Sequence, residues 1–275
     1  MDRPASWQAV VNRARAYRQM GEMEKALVDY RVAGGLNPDD PFTSADLGNL
    51  LTQQGQIDEG REYLAKAAKL EPDHAPFHAD LAVNLLAHGK EKASSGDATA
   101  AAASFDEAAA AARKSLEIDP DLPGGHVTLA SSLVERSRLA ATPDRRLLDE
   151  AISHYAAALS VCGGKVQAPG LAATCSDALV SRCDALIQTG ELEQALTACR
   201  SVVEAQPENP NAHYNLAGVH ALRGDREAAL ASLEKDIELG DTDHEYLAAD
   251  KWFASLHADR RFKTLLEKMK TGGGR

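Results

Sequence analysis

Apolar positions along this chain recur three and four residues apart rather than in alternation. "LAGVHALRGDREAALASLEKDIELG", from Leu216 to Gly240, shows the arrangement: two amphipathic, helix-forming segments separated by one Gly-Asp pair. That spacing lines one face of a helix, so the stretch predicts a helical hairpin with a very short turn. No run has the period of two and the β-branched or aromatic content of a strand. The arrangement returns upstream, and proline measures it. "GLNPDD", "KLEPDH", "EIDPDL" and "EAQPEN" put equivalent prolines at positions 38, 72, 120 and 207, the first two 34 residues apart. A proline just past a helix stops it and redirects the chain. Gly21, Gly55 and Gly190 each stand 17 residues before such a proline, and Gly224 holds the matching place in the last unit. Their flanks, "QMGEMEKAL", "QQGQIDEG", "QTGELEQAL" and "LRGDREAAL", combine a left-handed helix end with acidic residues suited to the next first turn.

Small residues supply a third marker. Ala14, Gly48, Ala82, Ala130, Cys183 and Ala217 fall where the first helix of each pair must approach its partner. Ala26, Gly60, Ala108, Ala151, Ala195 and Ala229 mark the facing point of the second helix. Four residues on, Tyr30, Leu64, Tyr155, Cys199 and Leu233 share that face. Small against large is how two helices interlock without voids.

Together these positions resemble the tetratricopeptide repeat. The cleanest matches are residues 7–40, 41–74, 176–209 and 210–243, the first carrying Ala14, Tyr17, Gly21, Ala26, Tyr30, Ala33 and Pro38. The resemblance implies an all-α, right-handed superhelical solenoid of about six hairpins. The array would span 1–243, with repeats at about 7–40, 41–74, 75–122, 123–163, 171–209 and 210–243. The third and fourth depart from the period through insertions at about 90–103 and 140–146, and "VCGGKVQAPG" separates the fourth from the next helix. Residues 244–270, with Tyr246, Leu247, Trp252, Phe253, Leu256, Phe262, Leu265 and Leu266 available for burial, read as capping helices over the last hairpin. They resemble the helical endings of many bacterial proteins of this class. Residues 271–275, "TGGGR", read as a flexible tail.

Composition agrees. The chain is 44% hydrophobic but only 5% aromatic, which suits close helix packing by small and aliphatic side chains. Net charge is −11. Residues 251–275 hold seven Lys/Arg and two Asp/Glu, a charge of +5, so the first 250 carry −16. An acidic body lacks the basic footprint that nucleic acid requires, and the basic end reads as a solvated last helix. No apolar stretch approaches 18 residues and the N-terminus lacks a secretory pattern, so a cytoplasmic protein without membrane attachment is expected. The four cysteines form no C-x-x-C and do not suggest a disulfide scaffold. Cys183 and Cys199 occupy packing slots and read as buried thiols; Cys162, beside a glycine pair, is the more reactive candidate.

Motifs for chemistry are missing. "CGGKV" has a Gly-Lys pair without the rest of a phosphate loop, and neither H-E-x-x-H nor G-x-S-x-G occurs. His213 and His220, and His74, His78 and His88, lack metal-ligand spacing and read as hydrogen-bonding residues. No catalytic residue, metal or cofactor is expected, and the chain reads as a non-enzyme.

Binding is what remains. In the family it resembles, the first helix of each pair lines a concave groove that holds peptides or helices of partners. Carried over by position, the groove candidates are Arg15, Asp46, Asn49, Gln53, Asp80, Asn84, Ser131, Asp184, Gln188 and Asn215, with Val11, Thr128, Val180 and Gly218 beside them. Members that grip a terminal carboxylate use lysines, asparagines and an arginine; here the corresponding places hold Val11, Arg15, Asp46, Pro76 and Asp80. Aspartates in place of cations imply a neutral to basic protein or peptide partner. The expected role is an adaptor or scaffold. The alternatives are an accessory subunit of a separate enzyme, a substrate-binding chaperone, and, ranked last, an enzyme with a site at the insertions. The hairpin faces at the ends allow self-association.

Overall fold

Where the sequence places its hairpin turns, the backbone turns through left-handed glycines: Gly21, Gly55 and Gly190 at φ +77° and Gly224 at +83°. The residue after each donates its N–H to the carbonyl five residues back, as Glu22 to Tyr17 (2.9 Å) and Asp225 to His220 (2.8 Å). This satisfies a carbonyl that the helix end leaves open. Gly96, at φ +85°, makes the same turn in the long third hairpin, where Asp97 N bonds Lys92 O at 2.9 Å.

The computed structural model describes residues 6–163 and 171–272. Most of the expected linker at 161–170 and the end of the expected tail lie outside the described residues. The helices are α1 (Trp7–Gln19), α2 (Met23–Leu36), α3 (Pro41–Gln53), α4 (Ile57–Leu70), α5 (Ala75–Ser94), α6 (Ala98–Ile118), α7 (Pro123–Arg138) and α8 (Arg145–Cys162). They continue as α9 (Leu171–Thr189), α10 (Leu192–Ala205), α11 (Pro210–Arg223), α12 (Arg226–Glu238), α13 (His244–Ala249), a 3-10 helix (Lys251–Leu256) and α14 (Arg260–Gly272). No strand occurs among the described residues. The fold is all-α, built of neighbouring helices packed in chain order. The extra residues of the third hairpin lengthen both of its helices, to 20 and 21 residues against 13 and 14 in α3 and α4.

The chain divides into two compact units, Met1–Leu147 and Leu148–Arg275. In the first, Val10, Ala14, Ala26, Tyr30, Leu47, Leu50 and Leu51 form a core shared by α1, α2 and α3. The α3 and α4 backbones approach closely, because both facing slots are glycine. A Cβ at 60 would lie 2.9 Å from the Gly48 carbonyl and 2.7 Å from Thr52 Oγ1. The room left at Gly60 also admits Asn84 from α5, whose amide donates to Thr52 Oγ1 (2.8 Å) and to the Ile57 carbonyl (2.9 Å). Gly60→Ala is therefore expected to destabilise by about 1 kcal/mol: overpacking costs roughly 1–3 and helix propensity returns about 1. Gly34→Ala in α2, where nothing lies within 4 Å of the added methyl, should stabilise by up to about 1 kcal/mol. Urea midpoints of the two variants measured in parallel check the pair.

In the second unit the cysteines correct the reading of free thiols. Cys183 is bonded to Cys199 and Cys162 to Cys175, with Cα–Cα distances of 5.1 and 6.1 Å, inside the range a disulfide spans. The reason lies in the repeat itself. Cys183 and Cys199 fill facing slots, the places where Gly48 meets Leu64 in the second hairpin, so two sulfurs there are within bonding reach. The other bond joins the end of α8 to the start of α9.

Beyond Gly240, Leu247, Phe253, Leu256, Phe262, Leu265 and Met269 close over Ala217, Ala221, Leu230 and Leu233. Asp250 fixes this cover from both sides. It accepts Tyr214 Oη at 2.6 Å and caps the 3-10 helix through Trp252 N at 2.9 Å.

Candidate peptide-binding wall

With a period of 34, a residue on one first helix should meet the residue 31 further on, near the start of the next. Arg15 Nε donates to Asp46 Oδ2 at 2.8 Å, joined by Arg18 Nη1 to Asp46 Oδ1 at 3.3 Å. Asn49 Nδ2 repeats the link to Asp80 Oδ2 at 2.8 Å. A ladder thus crosses α1, α3 and α5. Burial raises the Asp80 carboxyl above its usual range; the Asn49 bond opposes this, and the charge on Asp46 adds to it.

The remaining candidates divide. Gln53 is exposed at the end of α3, and Ser131 is half-buried on α7. Asn84 is corrected from groove residue to core: it is 0% exposed, and its amide locks α5 to the α3–α4 hairpin. Val11 and Thr128 are likewise buried. In the second unit Gln188 donates to Asp184 at 2.8 Å within α9, and Asn215 is half-buried on α11. Gly218 is covered by the Trp252 ring, which a Cβ there would approach to 2.5 Å.

Sequence reasoning missed an aromatic row at the start of the wall. Trp7, Gln8, Val11, Asn12, Arg15, Asp40 and Phe42 line a cavity of about 280 Å³. Phe42 sits edge-on to Phe77 at 5.2 Å and to His74 at 5.4 Å between centroids. Its signal was an aromatic at the second position of a repeat whose core slots were already filled. A second cleft, of about 370 Å³, runs along α9 and α10, is lined by Leu179, Arg182, Gln194 and Thr197 among others, and contains none of the candidate residues.

The histidines have structural partners. His78, His126 and His213 occupy the same repeat position, and each ring Nε2 bonds the carbonyl of the proline six residues earlier (Pro72, Pro120, Pro207) at 2.8 Å. His88, beside the first insertion, brings three hydrolase-type side chains together: Nδ1 lies 2.8 Å from Ser104 Oγ, and Nε2 lies 3.8 Å from Asp58. Ser104 is 6% exposed and donates its hydroxyl to the Ala100 carbonyl at 2.9 Å. With the proton directed into its own helix, that oxygen is not set up as a nucleophile. Among the described residues, no group of three or more His, Cys, Asp or Glu side chains converges as a metal site.

Hairpins joined through left-handed glycines and linked at a 31-residue offset define a helical-repeat protein. Comparison specifies the repeat. Residues 8–40 and 45–74 match one tetratricopeptide-repeat model, and residues 186–249 match another. Among solved structures the chain resembles YrrB, described as a TPR protein with an unusual peptide-binding site, at 20% identity and TM-score 0.55, over 78% of this chain and 94% of that one. It also resembles a tetratricopeptide repeat protein from Parabacteroides merdae ATCC 43184 at 13% identity and TM-score 0.55, over 97% and 85%. No curated protein matches the sequence. The chain carries tetratricopeptide repeats over these residues.

Proposed function

We propose that the wall made by α1, α3 and α5 binds an extended segment of a partner protein, and that the chain acts through this contact as an adaptor or scaffold. The observation that carries the reading is the ladder Arg15/Arg18–Asp46 and Asn49–Asp80. It holds polar side chains of successive hairpins in fixed positions before any partner arrives, which lowers the ordering cost of binding. YrrB, a structure with the same fold, is described as having a peptide-binding site.

The ladder modifies the expected partner charge. Asp46 is matched by two arginines, so the wall has no acidic surplus at that point, and a neutral segment fits it better than a basic one. The acidic body still disfavours nucleic acid. Among the described residues no helix is long and apolar enough to cross a membrane. The paired cysteines weigh against the cytoplasmic location expected from the sequence, since a reducing cytosol keeps such residues as thiols; they support an oxidising compartment.

The test is a peptide-display selection on the full oxidised chain. Enriched peptides are then measured against Gln53→Glu/Val83→Glu. Gln53 is exposed and Val83, on α5, is 48% exposed, so neither change enters the core. At least a tenfold loss of affinity with an unchanged melting temperature is expected. A selection that enriches nothing, or peptides indifferent to both changes, would defeat the reading.

A further inference from the structure

We infer that the cavity between α1 and α3 is an anchor pocket for one large, uncharged apolar side chain of the bound segment. This rests on the interaction reading above and names the chemistry of its first subsite.

Volume gives the first argument. At about 280 Å³ the cavity falls just below the roughly 300–1,000 Å³ of pockets that hold whole small molecules. One leucine, phenylalanine or tryptophan side chain suits it; a cofactor does not. The walls give the second. Trp7, Val11 and Phe42 present apolar surface, and Phe42, 45% exposed, is held from behind by Phe77 and His74. A ring fixed in advance loses little entropy when a ligand packs on it.

Charge supplies the third argument and selects the occupant. Arg15 is engaged by Asp46, which Arg18 also reaches. Asp40 accepts from Thr43 N at 2.7 Å and from Thr43 Oγ1 at 2.5 Å. Arg15 already has its counter-ion, so an incoming carboxylate would shed water without gaining one. Asp40 is held by the neutral donors of Thr43, and an incoming lysine would leave water for the apolar walls of Trp7, Val11 and Phe42. At the rim the exposed amides of Gln8 and Asn12 offer the donors and acceptors that suit a peptide backbone. Full burial of one large apolar side chain is worth roughly tenfold to a hundredfold in affinity.

The test uses the full oxidised chain and synthetic nonapeptides of alternating Ser and Gly that differ only at a central residue: Leu, Phe, Trp, Ala, Lys or Glu. Binding is followed by NMR, where the two tryptophans, Trp7 and Trp252, give separate indole signals. Peptides with central Leu, Phe or Trp should move the Trp7 signal saturably, bind at least tenfold tighter than the others, and leave Trp252 still. Phe42→Glu should abolish the preference. Asn12→Trp, which fills the mouth from the exposed rim, should do the same even where Phe42→Glu unfolds. Val32→Glu, an equally exposed change on α2, should not. Binding indifferent to the central residue, or a preference that survives both pocket variants, overturns the anchor pocket and leaves the wall as a binding surface. Concentration-dependent broadening of Trp7 without peptide, abolished by Phe42→Glu, would make a second copy the occupant and overturn it also. Failure of every peptide here, together with an empty display selection, removes the pocket and the wider reading together.

Discussion

Reduction of the two disulfides is expected to bring down the second unit while leaving the first folded. Both bonds lie between α8 and α10, and the first unit contains no cysteine. They close separations of 13 and 16 residues, and loops of that length restrict the unfolded chain by about 3 kcal/mol each. Two such losses compare with a total domain stability of about 5–15 kcal/mol. Urea unfolding with and without dithiothreitol, followed by hydrogen exchange, should show protection falling across α9–α12 and unchanged across α1–α6. Equal loss in both units, or none, would contradict the assignment. The repeats also provide a control that separates cross-link from packing. Ala217 and Leu233 hold the same facing slots in the last hairpin, so Cys183→Ala/Cys199→Leu replaces the bond with the chain's own apolar pair. That variant should be less stable than the oxidised protein, lose in dithiothreitol only the share of the remaining Cys162–Cys175 bond, and once reduced be at least as stable as the reduced wild type.

The same facing slots show what could be read in advance and what could not. Turns were legible because a left-handed backbone and a helix stop each demand a particular residue, and glycine and proline recur at fixed offsets. The ladder was legible in outline: Arg15, Asp46, Asn49 and Asp80 were picked by position, and the period of 34 brings them together. The spacing does not show their pairing, so the sequence alone makes the wall more acidic than it is. Cys183 and Cys199 are legible as a small slot and a bulky slot, but their pairing depends on the distance between facing slots, 5.1 Å from Cα to Cα, which the pattern along each helix does not carry. Asn84 failed for a different reason. A polar residue on a first helix was read as groove-facing, but the missing side chain at Gly60 opens an interior space that its amide fills. The pocket at Trp7 and Phe42 depends on the angle between two helices, which no spacing along one chain specifies.

A buried carboxyl in the second unit leads to the last large effect: Asp236→Asn should make the protein more stable at pH 8 and flatten its response to pH. Asp236 is 1% exposed, and neither carboxyl oxygen has a hydrogen-bond partner among the described residues. Burial first, and then the neighbouring Asp241 carboxylate, push its pKa up to about 8. In the unfolded chain the same group titrates near 3.9. Between these values the folded form keeps a proton that the unfolded form has released. The contribution is therefore fully present below about pH 4 and is lost as pH rises toward 8, at up to ~1.4 kcal/mol per pH unit. Tyr214, bonded to Asp250 nearby, is raised further above its ordinary value by burial and does not titrate in this window. Asp80 shifts in the same direction in the first unit, so the informative quantity is the difference between variant and wild type. The carboxamide keeps the shape and cannot ionise. The two proteins should have similar urea midpoints near pH 4 and diverge steadily above pH 5, reaching several kcal/mol by pH 8. A wild-type midpoint that holds level from pH 5 to 8, or a variant that is the weaker of the two at pH 8, would mean that Asp236 is charged and compensated in the folded protein.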